Sequence, residues 1–246
     1  MTPAVITFLT DFGLSDPYVA EMKGAVLRIS TGACMIDITH GISPQDVLAG
    51  SIALDRALRA FPPGTVHVAV VDPGVGSARR LLLAEIDEQF VLAPDNGLIT
   101  WAIARARRVN IRELTWRPAQ ATATFHGRDI LAPAAAMLST GQLADDSLSS
   151  LDNPVLLNVR PATCLDETVV VYIDHFGNAI TNVPFELLHD GLTVDGVGEV
   201  RRTYSDVEPG QAVALIGSGG LLEIAIRNGS AAATLGLRPG AKIGVR

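Results

Sequence analysis

Cysteine is scarce in this chain of 246 residues. Cys34 and Cys164 are far apart and outside any CxxC spacing. That excludes a disulfide scaffold and a Cys-rich zinc site, and it fits buried thiols in a reducing compartment. Positive charge is short too, with 19 Lys and Arg against 26 Asp and Glu and a net charge of −7. Phosphate backbones and anionic lipid surfaces want a basic face, so nucleic acid and membrane are not expected as partners. The one basic cluster, RARR at 105–108, reads as a solvated helix end. Long hydrophobic runs are absent: Ile130 to Leu138 falls well short of the roughly 20 residues a bilayer needs. The apolar residues 4–9 have no basic region before them and meet Asp11 at once, so no signal peptide is expected and the chain reads as cytoplasmic. Low-complexity segments, repeats and the HxxxH or HExxH spacings of metal sites are missing as well.

What is there is apolar and patterned. Hydrophobic residues make up 48% and charged residues 18%, which excludes disorder and supplies core for one large or two small domains. Apolar runs at 4–10, 35–39 and 66–72, then LLLAEI and QFVLAP, predict strands. Between them, 16–31, 44–60 and 98–106 carry helical spacing, the second with Ser43 as N-cap and Pro44 in its first turn. This rhythm predicts an α/β domain over 1–150 with a largely parallel sheet. Prolines 154 and 161 mark 151–167 as a linker. Short glycine-punctuated runs at 168–174, 192–198, 211–217 and 241–246 predict a small antiparallel β-barrel-like domain over 168–246.

Three strands run into an aspartate and a glycine turn: Asp11-Phe12-Gly13, Asp72-Pro73-Gly74 and Asp174-His175-Phe176-Gly177-Asn178. Ligands of α/β sheets bind beyond the carboxyl ends of strands, although such triplets are also ordinary turn chemistry. Arg79 follows Asp72 by seven positions and either pairs with it or faces a substrate carboxylate. TFHGRD (124–129) places His126, Arg128 and Asp129 before an Ala-rich helical run, where a histidine titrates near neutrality and the other two can cap and pair. Asp37 and His40 hint at a metal but do not make a site, and His67 reads as structural. GSGG (217–220) offers backbone N–H groups and the Ser218 hydroxyl. Glu223, inside the apolar run that follows, either needs a partner or sits exposed on an edge strand.

Taken together, TDFG (10–13), DPYV (16–19), VDPGVGSARR (71–80), TFHGRD (124–129), IDHFGNAITN (173–182) and GSGGLLEIA (217–225) resemble one family. These are the S-adenosyl-L-methionine hydroxide adenosyltransferases, relatives of fluorinase and chlorinase. The resemblance spans nearly the whole chain in the family's order. It implies a homotrimer whose site lies between the N-terminal domain of one subunit and the C-terminal domain of its neighbour. It implies a hydrolytic set of Asp72, Arg79 and His126, with Asp11 gripping the ribose hydroxyls. Asp174, Asn178, Ser218, Glu223 and the backbone near Ile226 and Asn228 would surround adenine and the methionine moiety, and Phe176 would stack near adenine. S-adenosyl-L-methionine is then the substrate, and no metal or other cofactor is implied. His126-Gly127-Arg128-Asp129 matches the hydrolytic branch, and the long fluorinase insertion is not evident, though chlorinases lack it too.

The implied chemistry is sound in itself. A sulfonium leaves as a neutral thioether, so departure needs no acid and no metal. A water held in line with ribose C5′ suffices, and positioning of that kind can supply about 7–11 kcal/mol. Arg79 cannot be a base, whereas a histidine has an intrinsic pKa of about 6.5, which makes His126 the expected proton acceptor, with Asp72 either orienting it or accepting from the water itself. Competing expectations are a halide-using transferase, a metal-dependent phosphoesterase built on Asp11, Asp37, His40 and Asp72, and a non-catalytic adenosine-binding module.

Overall fold

The computed structural model describes residues 4–189 and 191–246. They fall into two compact units, Met1–Asn158 and Val159–Arg246. Among the described residues no helix is long and apolar enough to cross a membrane.

The first unit runs β1 (Val5–Thr10), α1 (Tyr18–Leu27), β2 (Cys34–Thr39), α2 (Val47–Ala60), β3 (Val66–Val70), β4 (Leu81–Ile86), β5 (Gln89–Pro94), α3 (Thr100–Arg105), β6 (Val109–Leu114), α4 (Ala132–Ser139) and β7 (Leu148–Ser150). Its sheet has the order β2-β1-β3-β5-β4-β6-β7. The expected largely parallel sheet is in fact mixed. β2, β1, β3 and β5 are parallel, while β5-β4, β4-β6 and β6-β7 pair antiparallel. The cause is the connection from β4 to β5. Asp87 and Glu88 alone span it, at φ 45 and 70. A two-residue turn with both φ positive closes a hairpin, and a parallel pair needs a far longer crossover. Both runs are nearly all buried, so by pattern they pass for parallel strands.

Alternate residues of the strands feed two cores. Ile6, Phe8, Val68 and Val70 join Met22, Val26 and the alanines of α4 on one face, and Leu9, Ala69 and Val71 join Leu54, Leu58 and Leu98 on the other. α2 begins later than expected: Asp46, not Ser43, is its N-cap and accepts from Ala49 N at 2.9 Å. Both cysteines are exposed rather than buried, Cys34 because it opens the edge strand β2.

The chain crosses from β1 to β2 on one side and then from β2 back past β1 to β3 on the other, so successive crossovers run in opposite directions. Such a switch point opens a crevice at the carboxyl ends of the strands. Thr10 is paired with Val70 and Leu9 with Thr39, so Asp11, Asp72 and His40 emerge at the same end.

His67 illustrates how the core treats a polar group. Its Nδ1 meets Thr7 Oγ1 at 2.7 Å, its Nε2 meets Gln89 Oε1 at 2.9 Å, and the Gln89 amide donates to Leu58 O at 2.6 Å. The amide oxygen only accepts, so Nε2 carries the proton and Nδ1 accepts from the hydroxyl. Burial pushes the pKa below 6.5, against a smaller opposing effect of Gln89. The folded state therefore prefers neutral His67, and this contribution to stability is full above the unfolded pKa of about 6.5 and is lost as pH falls through the lower folded value. The ring resonance, followed by NMR, is expected to titrate below the free-histidine value. Titration at or above that value would contradict the assignment.

The second unit contains β8 (Val170–Ile173), β9 (Ala179–Pro184), β10 (Thr193–Val194), β11 (Gly198–Arg201), β12 (Ala212–Ile216), β13 (Leu221–Ile226) and α5 (Ala231–Leu235). The sheet order is β10-β11-β12-β13-β9-β8. It is not wholly antiparallel, since β11 and β12 are parallel. A longer link containing a helical turn at Tyr204–Asp206 joins those two strands. The last residues hydrogen-bond to both edges: Val170 N donates to Ala241 O at 2.8 Å and Thr193 N to Arg246 O at 2.7 Å. These bonds hold the sheet curled as a half-barrel. The stretch 151–167 is divided between the units. Val155 N donates to Asp95 Oδ1 and Leu157 N to Thr100 Oγ1, whereas Ala162 N donates to Asn182 O.

Candidate active site

Asp72 lies two residues beyond the end of β3. The loop after it turns back through Ser77, whose hydroxyl donates to Gly74 O at 2.7 Å and accepts from Arg79 N at 3.2 Å. Arg79 Cδ then passes 3.2 Å from where a Gly74 side chain would begin, so glycine is what lets the arginine fold over the turn. Arg79 Nε lies 2.7 and 2.8 Å from the two Asp72 oxygens, and Nη2 also contacts Oδ2. Of the two alternatives for Arg79, the structure has the ion pair. Both side chains are buried, at 9% and 5% exposure.

His126 completes the group. It precedes a π-helical turn over Gly127–Leu131 that leads into α4. Insertions of this kind re-aim side chains and occur often at functional sites. Arg79 Nη2 lies 3.0 Å from His126 Nδ1. A guanidinium only donates, so Nδ1 is the acceptor and the neutral ring carries its proton on Nε2. Burial lowers the His126 pKa, and Arg79 and Arg117 lower it further against Asp72 and Asp129. Arg79 Nη1 is buried with no hydrogen-bond partner among the described residues. A buried unsatisfied donor is costly, and a bound oxygen or anion would relieve it.

The turn carrying His126 is fixed by its neighbours. Arg128 reaches Asp129 Oδ1 at 2.6 Å and Glu21 Oε2 at 2.7 Å, and its guanidinium stacks 4.7 Å from the Phe125 ring centre. Asp129 also accepts from Thr122 N and Oγ1. Burial alone would raise the Asp129 pKa, but the bonds from Arg128 and Thr122 outweigh it and hold the carboxyl at about 2. Phe12, Tyr18 and Phe125 meet edge to face with centroids 5.4–5.9 Å apart, joining the loop after β1 to the His126 segment. This aromatic cluster and Arg117 escaped sequence reasoning. DPYV and TFHGRD held the first signal, but nothing in their spacing says that they touch.

Asp11 lies in the loop after β1, and its Oδ2 accepts from Gln45 N at 2.7 Å. The set proposed for a metal does not assemble. Asp72 is engaged by Arg79, Asp37 by Lys23 at 2.7 Å, His40 by Thr10 at 2.9 Å, and Asp11 by Gln45. Among the described residues no three His, Cys, Asp or Glu side chains gather in a way that would hold a metal ion.

The remaining candidates belong to the second unit. Asp174 closes the β8–β9 turn by accepting from Phe176 N and Asn178 N, and Asn178 Nδ2 donates to its other oxygen at 3.1 Å. Asn178 is buried, whereas Phe176 is 74% exposed. Gly177 has φ +84, and a Cβ there would overlap Ser230 Oγ, the N-cap of α5. Gly177→Ala is expected to destabilise by about 2–4 kcal/mol, since backbone strain and a lost cap add. Gly210→Ala, at φ +85 with open space around it, supplies a control that tests the strain alone in urea denaturation. Equal losses in the two variants would show that the Ser230 contact contributes nothing.

Ser218 sits in the turn between β12 and β13, and Ile226 ends β13, where its carbonyl accepts from Gly229 N around Asn228 at φ 58. Glu223 is not on an edge strand. It lies buried on β13, between β12 and β9, with Tyr204 donating to Oε1 at 2.5 Å. Burial and this bond raise the Tyr204 pKa, which keeps the phenol a donor.

Two family models match the chain. The model of the SAM hydroxide adenosyltransferase N-terminal domain matches residues 6–147, and that of its C-terminal domain matches 168–244. The chain belongs to the SAM hydroxide adenosyltransferase family. Within it, an (R)-S-adenosyl-L-methionine hydrolase of Thermus thermophilus is 40% identical, with 96% of each chain covered. A fluorinase of Nocardia brasiliensis is 28% identical over 98% of this chain and 96% of its own. A crystal structure of an uncharacterised conserved protein from Thermotoga maritima superposes with a TM-score of 0.87 at 35% identity, covering 98% and 99% of the two chains.

Proposed function

We propose that this protein hydrolyses S-adenosyl-L-methionine to adenosine and L-methionine. The observation that carries this reading is the Asp72–Arg79–His126 group with its buried, unpartnered Arg79 Nη1. Arg79 Nη1 is a buried donor that can hold the attacking oxygen, while His126 accepts from Arg79 Nη2 and so fixes the guanidinium in place. Donors directed at an oxygen stabilise the hydroxide character it gains during attack. Water oxygen bonds to C5′, the C5′–S bond breaks, and its electron pair goes to sulfur to give neutral methionine thioether. The departing proton passes to the Asp72 carboxylate. His126 is not the acceptor in this scheme, because its one lone pair already accepts from Arg79. Asp11 holds the ribose hydroxyls. Asp174, Asn178, Ser218, Glu223, the Ile226 and Asn228 backbone and the exposed Phe176 serve adenine and the methionine moiety.

The more similar relative is named a hydrolase and the more distant one a fluorinase, which supports water over halide. That hydrolase's name specifies the R sulfonium epimer, and we take the same epimer as substrate. The family resemblance supplies the rest of the reading: a homotrimer, sites completed by a neighbouring subunit, and no cofactor; the cytoplasmic location rests on cysteine usage alone. The test is a product assay on chelator-treated protein with each epimer, with and without chloride. Adenosine in both salt conditions supports the reading. A chlorinated nucleoside places the chain with the halide-using enzymes, and activity lost with the chelator and restored by metal overturns the metal-free scheme.

A further inference from the structure

We propose that Thr10 and His40 are positioning residues that set Asp11 for the ribose hydroxyls, a proposal that rests on the role given to Asp11 above. Thr10 ends β1 and is fully buried, and His40 is nearly so. A polar pair at that depth, next to an exposed loop, calls for a reason beyond packing. Thr10 Oγ1 contacts His40 Nδ1 at 2.9 Å and accepts from Phe12 N at 3.2 Å. Gly13 N donates to His40 O at 2.8 Å. Asp11 thus lies between two residues tied to the same histidine, one tie through its ring and one through its backbone.

The ring is oriented in turn from its far side. His40 Nε2 lies 3.0 Å from Asp37 Oδ1, and the other Asp37 oxygen accepts from Lys23 Nζ at 2.7 Å. The approach to Asp37 is an electrostatic contact rather than an aligned hydrogen bond. Next to a carboxylate, Nε2 keeps its proton, so Nδ1 of the neutral ring is an acceptor and the Thr10 hydroxyl must donate to it. The same hydroxyl then accepts from Phe12 N with a lone pair whose direction is set. A chain of contacts from Lys23 through Asp37, His40 and Thr10 fixes the backbone on the C-terminal side of Asp11. On the other flank, Gln45 N donates to Asp11 Oδ2 at 2.7 Å and limits the rotation of the carboxylate. Positioning of this sort acts on binding rather than on the reacting atoms, and a vicinal diol is the group that two carboxylate oxygens at a fixed angle select.

The experiment compares adenosine with an analogue lacking both ribose hydroxyls, using calorimetry on the intact protein. Thr10→Val keeps shape and removes the hydroxyl. It is expected to weaken adenosine binding about tenfold and leave the analogue's affinity unchanged. In turnover the same variant raises KM for the sulfonium substrate and spares kcat, and Thr10→Ser restores wild-type behaviour. His40→Asn, which retains a polar atom near the Nδ1 position, falls between wild type and His40→Leu, and these two variants test the claim if Thr10→Val does not fold. Thr10→Val and His40→Leu that bind adenosine as wild type does would overturn the proposal. Asp11→Ala separates the two levels. If it abolishes the preference for the diol while the positioning variants do not, only the positioning claim fails. If Asp11→Ala leaves the preference intact, the role of Asp11 falls and the proposal with it.

Discussion

Arg79→Met is expected to lower kcat by about 10³-fold or more, because the arginine stabilises charge at the attacking oxygen and also holds both other members of the group. It carries a stability cost as well. Removing one partner of a buried ion pair leaves an uncompensated charge and destabilises by about 3–5 kcal/mol. Asp72 would be that charge, at 5% exposure. The two effects separate in the double variant Asp72→Asn/Arg79→Met, whose buried polar group is neutral. Thermal melts should show stability largely regained, and steady-state kinetics should show activity still lost. Regained activity in the double variant would contradict the catalytic role of the pair.

His126→Phe comes next in size. The substitution removes the acceptor that orients Arg79, and loss of one preorganised donor costs about 10²–10³-fold in kcat in comparable sites, with little change in KM where the group does not hold substrate. The pH profile carries the sharper information. Burial and two nearby arginines push the His126 pKa below 6.5. Protonation would turn an N–H toward Arg79 and break the contact, so activity is present above the lowered pKa and falls as pH drops through it. The acid limb of the wild-type profile should therefore lie below 6.5. It should vanish in His126→Phe. A limb at or above that value, or one that survives the substitution, would contradict the assignment.

The residues of this group and the pairing of Asp72 with Arg79 are legible in the sequence, the latter as one of two alternatives, but the geometry that joins His126 to them is not. Apolar runs ending in Asp11 and Asp72 signalled the carboxyl ends of strands, and the register of Thr10 with Val70 brings those ends side by side. His126 drew notice as a histidine before a helical run, yet nothing in TFHGRD announces a π turn or says which ring nitrogen faces Arg79. The tautomer depends on a contact across 47 positions. Arg117 and the Phe12–Tyr18–Phe125 cluster stayed invisible for the same reason, being tertiary neighbours without a local pattern. The mixed sheet escaped because buried strands look alike whatever their direction, and the decisive signal was two residues long, Asp87-Glu88. An exposed edge is one of the alternatives that periodicity leaves open for Glu223, and strand order, which periodicity does not reveal, places it in the centre of its sheet.

The measurement that tests the central claim most directly is turnover of S-adenosyl-L-methionine in heavy-oxygen water, with both products analysed by mass. Attack of water on ribose C5′ predicts one heavy oxygen in adenosine and none in methionine. Label in the amino-acid product, or a nucleoside without label, would contradict the account.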